Sequence, residues 1–159
     1  MKTLLLALFL IYGCSDKGSN SQKSSPYSTD EEYQLIQEYL DLVNNHRISR
    51  GLRPFIHSPE IEYQAQIHSV QMGKGIVDFG HANFKERCLR VKERYQSGNL
   101  CAENVARYQQ TAQAALNAWL SSSGHAKNIN NERHTHTGVG LSINEKGEYY
   151  WTQIFLEVI

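Results

Sequence analysis

The sequence predicts one α+β domain, with helices first and antiparallel strands at its end. Apolar residues recur at helical spacing along the early segments, whereas the end of the chain alternates and is rich in aromatic and β-branched residues. A chain of 159 residues, 40% hydrophobic and 20% charged, has the composition of one globular domain. Basic and acidic residues both number 16, so no field of one sign attracts nucleic acid, and no nucleic-acid partner is expected.

Four segments carry helix signals. Thr29 supplies a capping hydroxyl before three acidic residues, and Gly51 follows the basic end of the same segment. Ser58 and Pro59 are typical of a cap and a first helical residue. A third, charge-rich segment is a weaker helix, and the fourth is dense in Ala, Leu and Gln. The predicted helices cover 29–50, 59–72, 84–95 and 111–120.

The closing hairpin is predicted from two runs and a turn. Residues 139–143 alternate, 144–147 have turn composition, and 149–159 are aromatic and β-branched. Helices followed by an antiparallel hairpin define the α+β class.

The first residues predict export. Lys2 precedes an apolar run that is too short to span a bilayer, which takes about 20 residues. Ile11-Tyr12-Gly13-Cys14 resembles a lipobox, which implies cleavage before Cys14 and lipidation of its sulfur. The alternative is a plain signal peptide with a chance cysteine. We therefore expect a signal peptide at 1–13, a flexible tether at 14–28 and a domain at 29–159. The protein would be anchored to the cell envelope through Cys14, facing outward.

Five segments together resemble the CAP superfamily, of cysteine-rich secretory, antigen 5 and pathogenesis-related-1 type. Each is weak alone, but they occur in the order seen in bacterial members. They are Leu42-Val43-Asn44-Asn45-His46-Arg47, Gly80-His81-Ala82-Asn83-Phe84, Ala102-Glu103-Asn104-Val105-Ala106, the run 119–129 (WLSSSGHAKNI), and Gly138-Val139-Gly140 with 150–155 (YWTQIF).

The resemblance implies a three-layer α-β-α sandwich with a cleft that gathers His and Glu side chains. His81, Glu103 and His125 occupy the matching positions and are the candidate catalytic or binding residues. Animal members have a second Glu, but Ser121 and Ser122 stand near its place here. His136 is therefore the candidate for a fourth cleft residue.

Two imidazoles and a carboxylate are a plausible zinc ligand set, with His81 and His125 as metal ligands and Glu103 as ligand or general base. The spacing lacks a compact His-Glu-x-x-His signature, and no cofactor is needed for the domain to fold. The alternatives are structural. His81 would be an exposed turn residue, Glu103 would fix a loop through its amides, and the His125 imidazole would cap backbone groups.

Other polar residues also allow both a functional and a structural interpretation. His134 and His136 would share a strand face, as a metal pair or as half-exposed surface. The serines before His125 lack a Gly-x-Ser-x-Gly nucleophile turn. With Cys14 acylated and the chain exported, Cys88 and Cys101 are predicted to form a disulfide that holds the His81 segment near Glu103. Two reduced, buried thiols are the alternative.

The leading functional expectation is a binding or interaction module rather than an enzyme. Members of the superfamily are implicated in binding sterols, fatty acids and other partners, so the resemblance implies a lipid, metal or protein ligand. A metal-dependent, peptidase-like hydrolase using His81, Glu103 and His125 is the second hypothesis. A scaffold without a ligand is the third.

Overall fold

The computed structural model describes residues 29–95 and 100–159, so the signal peptide, Cys14 and the tether predicted for 1–28 lie outside the described residues. In those two segments no helix is long and apolar enough to cross a membrane. The elements of the described chain are α1 (Asp30–Ser49), β1 (Ile56–His57), α2 (Pro59–Gly73), α3 (Phe84–Tyr95), β2 (Cys101–Arg107), α4 (Ala112–Leu120), α5 (Ser123–Ile129), β3 (His136–Ile143) and β4 (Tyr149–Leu156).

Side-chain caps begin three of the helices, and the sequence predicts the first two of them, at Thr29 and Ser58. The Thr29 hydroxyl accepts from the Glu32 amide, and the Glu32 carboxylate accepts from the Thr29 amide, which makes a reciprocal capping box. Ser58 accepts from the Ile61 amide at α2, and Thr111 caps α4 in the same way. The four predicted helices are therefore confirmed, with ends that differ by a residue or two.

Four strands form one sheet in the order β1-β3-β4-β2. The predicted hairpin is β3 with β4, and β2 adds to it antiparallel, placing Glu103 opposite Ile154. β1 pairs in parallel with β3 on the far side. Sequence patterns did not predict β1, β2 or α5. β2 carries Glu103 and Asn104, which have low strand propensity, and α5 is a single short stretch containing Gly124.

Helices cover both faces of the sheet, which confirms the three-layer α-β-α sandwich. On one face Trp151 and Phe155 of β4 pack with residues of α1, α4 and α5, including Tyr39 and Trp119. On the other face Ile154 packs with α2 and α3 through a cluster that also contains Ile61, Ala65, Val91 and Leu156. Side chains alternate along each strand, so consecutive residues of β2 project into different layers.

The Cys88–Cys101 disulfide is present and joins α3 to β2, with 6.1 Å between the two Cα atoms. The bond therefore ties one helix layer to the edge strand that carries Glu103. Its position matches the predicted pairing.

His134 and His136 do not share one strand face, and that expectation is wrong. β3 begins only at His136, so the alternation does not extend back to His134. The His134 ring is buried and stacks on Phe155, whereas the His136 ring packs against Tyr95 in the other layer. The Nδ1 atom of His134 bonds to the Asn128 carbonyl, so this histidine is part of the core.

Candidate functional site

Glu103 lies on the edge strand β2, and its carboxylate is buried against Arg87 of α3. Arg87 Nε donates to Oε2 and Arg87 Nη2 donates to Oε1, both at 2.9 Å. The Glu103 side chain is only 1% exposed. A carboxylate with so little water must be paired, and the two-pronged guanidinium compensates its charge. Loop amides were the predicted partners for a structural Glu103, but the partner is a guanidinium.

His81 lies between α2 and α3, directly after Gly80, whose φ of 146° only glycine adopts easily. Its Nδ1 is 2.9 Å from Glu103 Oε1, and half of its side chain is exposed (50%). Because a carboxylate only accepts, the Nδ1 atom carries the hydrogen. The Nε2 atom has no hydrogen-bond partner in the described part of the chain.

His68 of α2 holds the segment that carries His81. Its Nε2 donates to the Gly80 carbonyl at 2.7 Å, and the residue is fully buried. Burial lowers the pKa of His68 from its usual 6.5, and the hydrogen bond to Gly80 opposes this effect only in part. Sequence analysis missed this residue, although its spacing from Ala65 and Met72 places it on the buried face of α2.

His125 lies in α5, on the other side of β2, and Asn104 positions it. Asn104 Nδ2 donates to the His125 carbonyl at 3.2 Å, and Asn128 Nδ2 donates to Asn104 Oδ1 at 2.9 Å. The main chain of His125 therefore accepts the structural bond, and its imidazole has no hydrogen-bond partner in the described part of the chain. Burial lowers the pKa of His125 from its usual 6.5, and the nearby His81 lowers it further.

His81, Glu103 and His125 thus gather at the edge of β2. His81 contacts Glu103 directly, and His125 is held beside them through Asn104. Asn104 projects to the opposite face from Glu103, so the two histidines flank the strand from the two helix layers. Asn104 belongs to the Glu-Asn segment of the resemblance, but its positioning role was not predicted.

The structure does not bring His136 to the other three residues. It lies at the start of β3, opposite Leu156, with two strand spacings between it and β2. Its ring packs against Tyr95 at 5.5 Å, and its Nδ1 lies 2.9 Å from Thr135 Oγ1. Burial lowers the pKa of His136 from its usual 6.5. Nothing in this position connects it with the cleft.

The donor set fits a zinc ion poorly. No group of three His, Cys, Asp or Glu side chains in residues 29–95 and 100–159 is arranged to hold a metal ion. Both Glu103 oxygens accept from Arg87, which leaves the imidazoles of His81 and His125 as donors. Catalytic zinc sites use three protein ligands, so two imidazoles fall short of that number.

The half-exposed His81 side chain lies beside the buried Glu103 carboxylate, so the cleft opens to solvent at His81, and we call it the groove. Four hollows of about 340 to 580 Å³ lie elsewhere on the described surface, the smallest of them between α2 and α3 beside Pro59 and Arg90. His81, Glu103 and His125 line none of the four.

Comparison with known proteins decides the family. A profile of the cysteine-rich secretory protein family, CAP, matches residues 40–155. The chain belongs to the CAP family. All three gathered residues fall inside the match, as do Arg87, Asn104 and the disulfide.

Bacterial CAP proteins are among its relatives. The chain is 31% identical over 139 residues to the uncharacterized protein YkwD of Bacillus subtilis, and 31% identical over 138 residues to the uncharacterized membrane protein YlbC of the same species. These alignments cover 87% and 81% of this chain. The chain spans 52% and 38% of the two relatives, so whatever they do as whole proteins is not thereby assigned to it.

Solved CAP structures share the fold. An extracellular protein with an SCP domain from Bacillus anthracis is 29% identical, with a TM-score of 0.68 over 84% of this chain and 45% of its own. An outer surface protein from Borrelia burgdorferi superposes with a TM-score of 0.69 over 83% of this chain and 96% of its own, at 19% identity. The CAP sandwich is therefore shared with bacterial proteins of extracellular type.

Proposed function

We propose that this CAP protein is exported, anchored to the cell envelope by a lipid on Cys14, and acts as a binding module. Its ligand is received in the groove formed by His81, Glu103 and His125. The lipobox-like residues before Cys14 support the anchor. The relatives described as an extracellular protein and a membrane protein support an envelope location.

One observation carries the binding role: the Glu103 carboxylate bonds to Arg87 through both oxygens and also holds His81, whose side chain is half exposed beside it. A metal hydrolase needs a third protein ligand, and the Glu103 carboxylate is buried against Arg87 rather than presented to a substrate. Here the carboxylate is used to hold His81. The same geometry therefore favours binding over the hydrolase hypothesis, and a protein ligand over an enclosed lipid.

A thermal-shift screen of the purified protein against proteins of the same envelope, lipid vesicles and divalent cations tests the binding role. A ligand that binds only the folded state raises the Tm by mass action, by about 2.7 kcal/mol of stability at 100 times its Kd. We expect that shift in wild type and its loss in His125→Ala. His57→Ala, an exposed histidine on the far edge of the sheet, is the matched control and retains the shift. A shift that survives both His81→Ala and His125→Ala places the ligand outside the groove.

Labelling with a radioactive fatty acid in cells tests the anchor separately. The wild-type chain is expected to take up the label and to fractionate with membranes, and Cys14→Ser is expected to do neither. Unlabelled wild-type protein in the soluble fraction contradicts the anchor and leaves the binding role unaffected.

A further inference from the structure

Glu103 contributes its main chain as well as its side chain to the groove. In an antiparallel pair, alternate residues direct both backbone groups at the partner strand, and the residues between them direct theirs away. The Tyr108 amide donates to the Tyr149 carbonyl, and the Glu157 amide donates to the Leu100 carbonyl. The even-numbered residues of β2 therefore bond to β4, so the amide and carbonyl of Glu103 point away from the sheet.

The amide and carbonyl of Glu103 are unpaired on this outer edge, although the residue as a whole is buried. Trp119 Nε1 donates to the Val105 carbonyl at 3.0 Å, so α4 covers the edge two residues further along. No group in the described chain bonds to the amide or the carbonyl of Glu103. The whole residue is 6% exposed while its side chain is 1% exposed, so the exposed atoms are those of the main chain.

The open amide and carbonyl are held rigidly. Arg87 and His81 fix the Glu103 side chain on one face, and Asn104 is tied to His125 and Asn128 on the other. Because this donor and this acceptor already keep one orientation, binding a ligand does not cost the entropy of ordering them. They also carry a desolvation cost that a ligand's hydrogen bonds remove.

The charges of the groove select the ligand class. Arg87 compensates Glu103, and the lowered pKa of His125 leaves that imidazole neutral at neutral pH. One N–H donor and one C=O acceptor, spaced as in a strand, complement a peptide group better than they complement an ion. The closure at Val105 limits the pairing on that side of Glu103.

We propose that the groove binds an extended peptide segment whose main chain forms one β-bridge with Glu103, between the imidazoles of His81 and His125. This rests on the proposed binding function and names the class of its ligand. The bridge uses backbone groups, so it recognises extended conformation, and the flanking imidazoles contact the neighbouring side chains or carbonyls of the peptide.

Hydrogen exchange by NMR on the full ¹⁵N-labelled chain tests the bridge without any substitution. The probes are acetyl-Ala-Val-Ala-amide and the same peptide with N-methylvaline, which lacks one donor. In the free protein we expect the Glu103 amide to exchange faster than the Asn104 amide, which bonds to β4. Saturating peptide should slow exchange at Glu103 by about tenfold and leave Asn104 unchanged, and N-methylation should weaken binding by about tenfold, since one hydrogen bond is lost.

Four results overturn the bridge. They are slow exchange at Glu103 in the free protein, binding without slowing at Glu103, equal affinity for the N-methylated peptide, and no perturbation at about 10 mM peptide, where weak binding is still measurable. If the imidazole resonances of His81 and His125 respond to another ligand of the screen but not to the peptide, the binding function is retained and only the peptide is rejected.

Discussion

At the scale of single residues, the Arg87–Glu103 ion pair determines how the groove is built. The pair is buried on both sides, and His81 is attached to it through Nδ1. A buried charge that loses its partner costs far more than an exposed one, because no water replaces the missing bonds. The same pair therefore controls both stability and the position of His81.

Arg87→Met is expected to lower the free energy of unfolding by about 3–5 kcal/mol, because it leaves the Glu103 charge buried and unpaired. Arg133→Met is the control: its bond to Glu157 is exposed, with 59% of the Arg133 side chain accessible, and should contribute at most about 1 kcal/mol. The double variant Arg87→Met/Glu103→Leu should recover much of the loss. Urea denaturation measures all three, and equal losses for both single variants contradict the buried-pair interpretation.

The buried histidine His68 predicts a stability that depends on pH. Burial holds the pKa of His68 below its usual 6.5, so the unfolded chain binds more protons than the folded chain as the pH falls through that range. Stability is retained above pH 6.5 and decreases below it. We expect the Tm to fall by roughly 5 °C from about pH 7 to pH 5, and to fall less in His68→Gln, which keeps a donor for Gly80. Parallel Tm–pH curves for the two proteins would exclude His68 as the source.

At the scale of elements, α2 packs directly against β3. This contact fixes how closely α2 approaches the face of the sheet that carries Glu103. Gly138 and Gly140 lie against the backbone of α2: a Cβ on Gly138 would be 2.0 Å from the Glu62 nitrogen, and one on Gly140 would be 2.4 Å from the Ala65 carbonyl carbon. Main-chain atoms cannot move aside as a flexible side chain does. Glycine is needed at both positions so that the helix carrying His68 can approach the sheet.

Gly138→Ala is expected to destabilise the protein by about 3 kcal/mol, the upper part of the range for overpacking, because α2 must shift away from the sheet. Gly124→Ala is the control, since a Cβ there meets nothing within 4 Å and the residue lies in α5. That change should be neutral or slightly stabilising through helix propensity. Thermal unfolding compares the two, and a neutral Gly138→Ala would contradict the close packing.

At the scale of the whole molecule, the Cys88–Cys101 disulfide connects two layers beside the groove. Cys88 follows Arg87 directly, and Cys101 lies two residues before Glu103 on the same strand face. The cross-link therefore constrains both members of the buried ion pair. It also closes a loop of 13 residues, which restricts the unfolded chain.

The double variant Cys88→Ser/Cys101→Ser is expected to lose about 3 kcal/mol of stability, as loop closure predicts. Guanidinium denaturation measures the loss, and a reductant should produce it in wild type but not in the double variant. Cys14→Ser is the control and should leave the unfolding of the domain unchanged. If reduction has no effect on wild type, the disulfide does not contribute to stability.

Prediction from the sequence worked where the signal is local. Thr29 and Ser58 cap helices through neighbouring amides, and the hairpin follows from alternation and a turn, so these elements need no distant partner. β2 and α5 were missed because their form depends on tertiary contacts: β4 pairs with β2, and Asn104 holds α5. The resemblance identified His81, Glu103 and His125, but it could not identify Arg87, because an arginine in a charge-rich helix usually faces solvent.

The sequence by itself determined the α+β class, the helix caps, the closing hairpin and the CAP membership, since each depends on short-range pattern or on motif order. Tertiary structure alone decided that Arg87 neutralises Glu103, that His136 lies apart, and that one amide and one carbonyl remain open at the edge of β2. These outcomes depend on strand register and layer packing, which join residues far apart in the chain, and no local pattern encodes such distances.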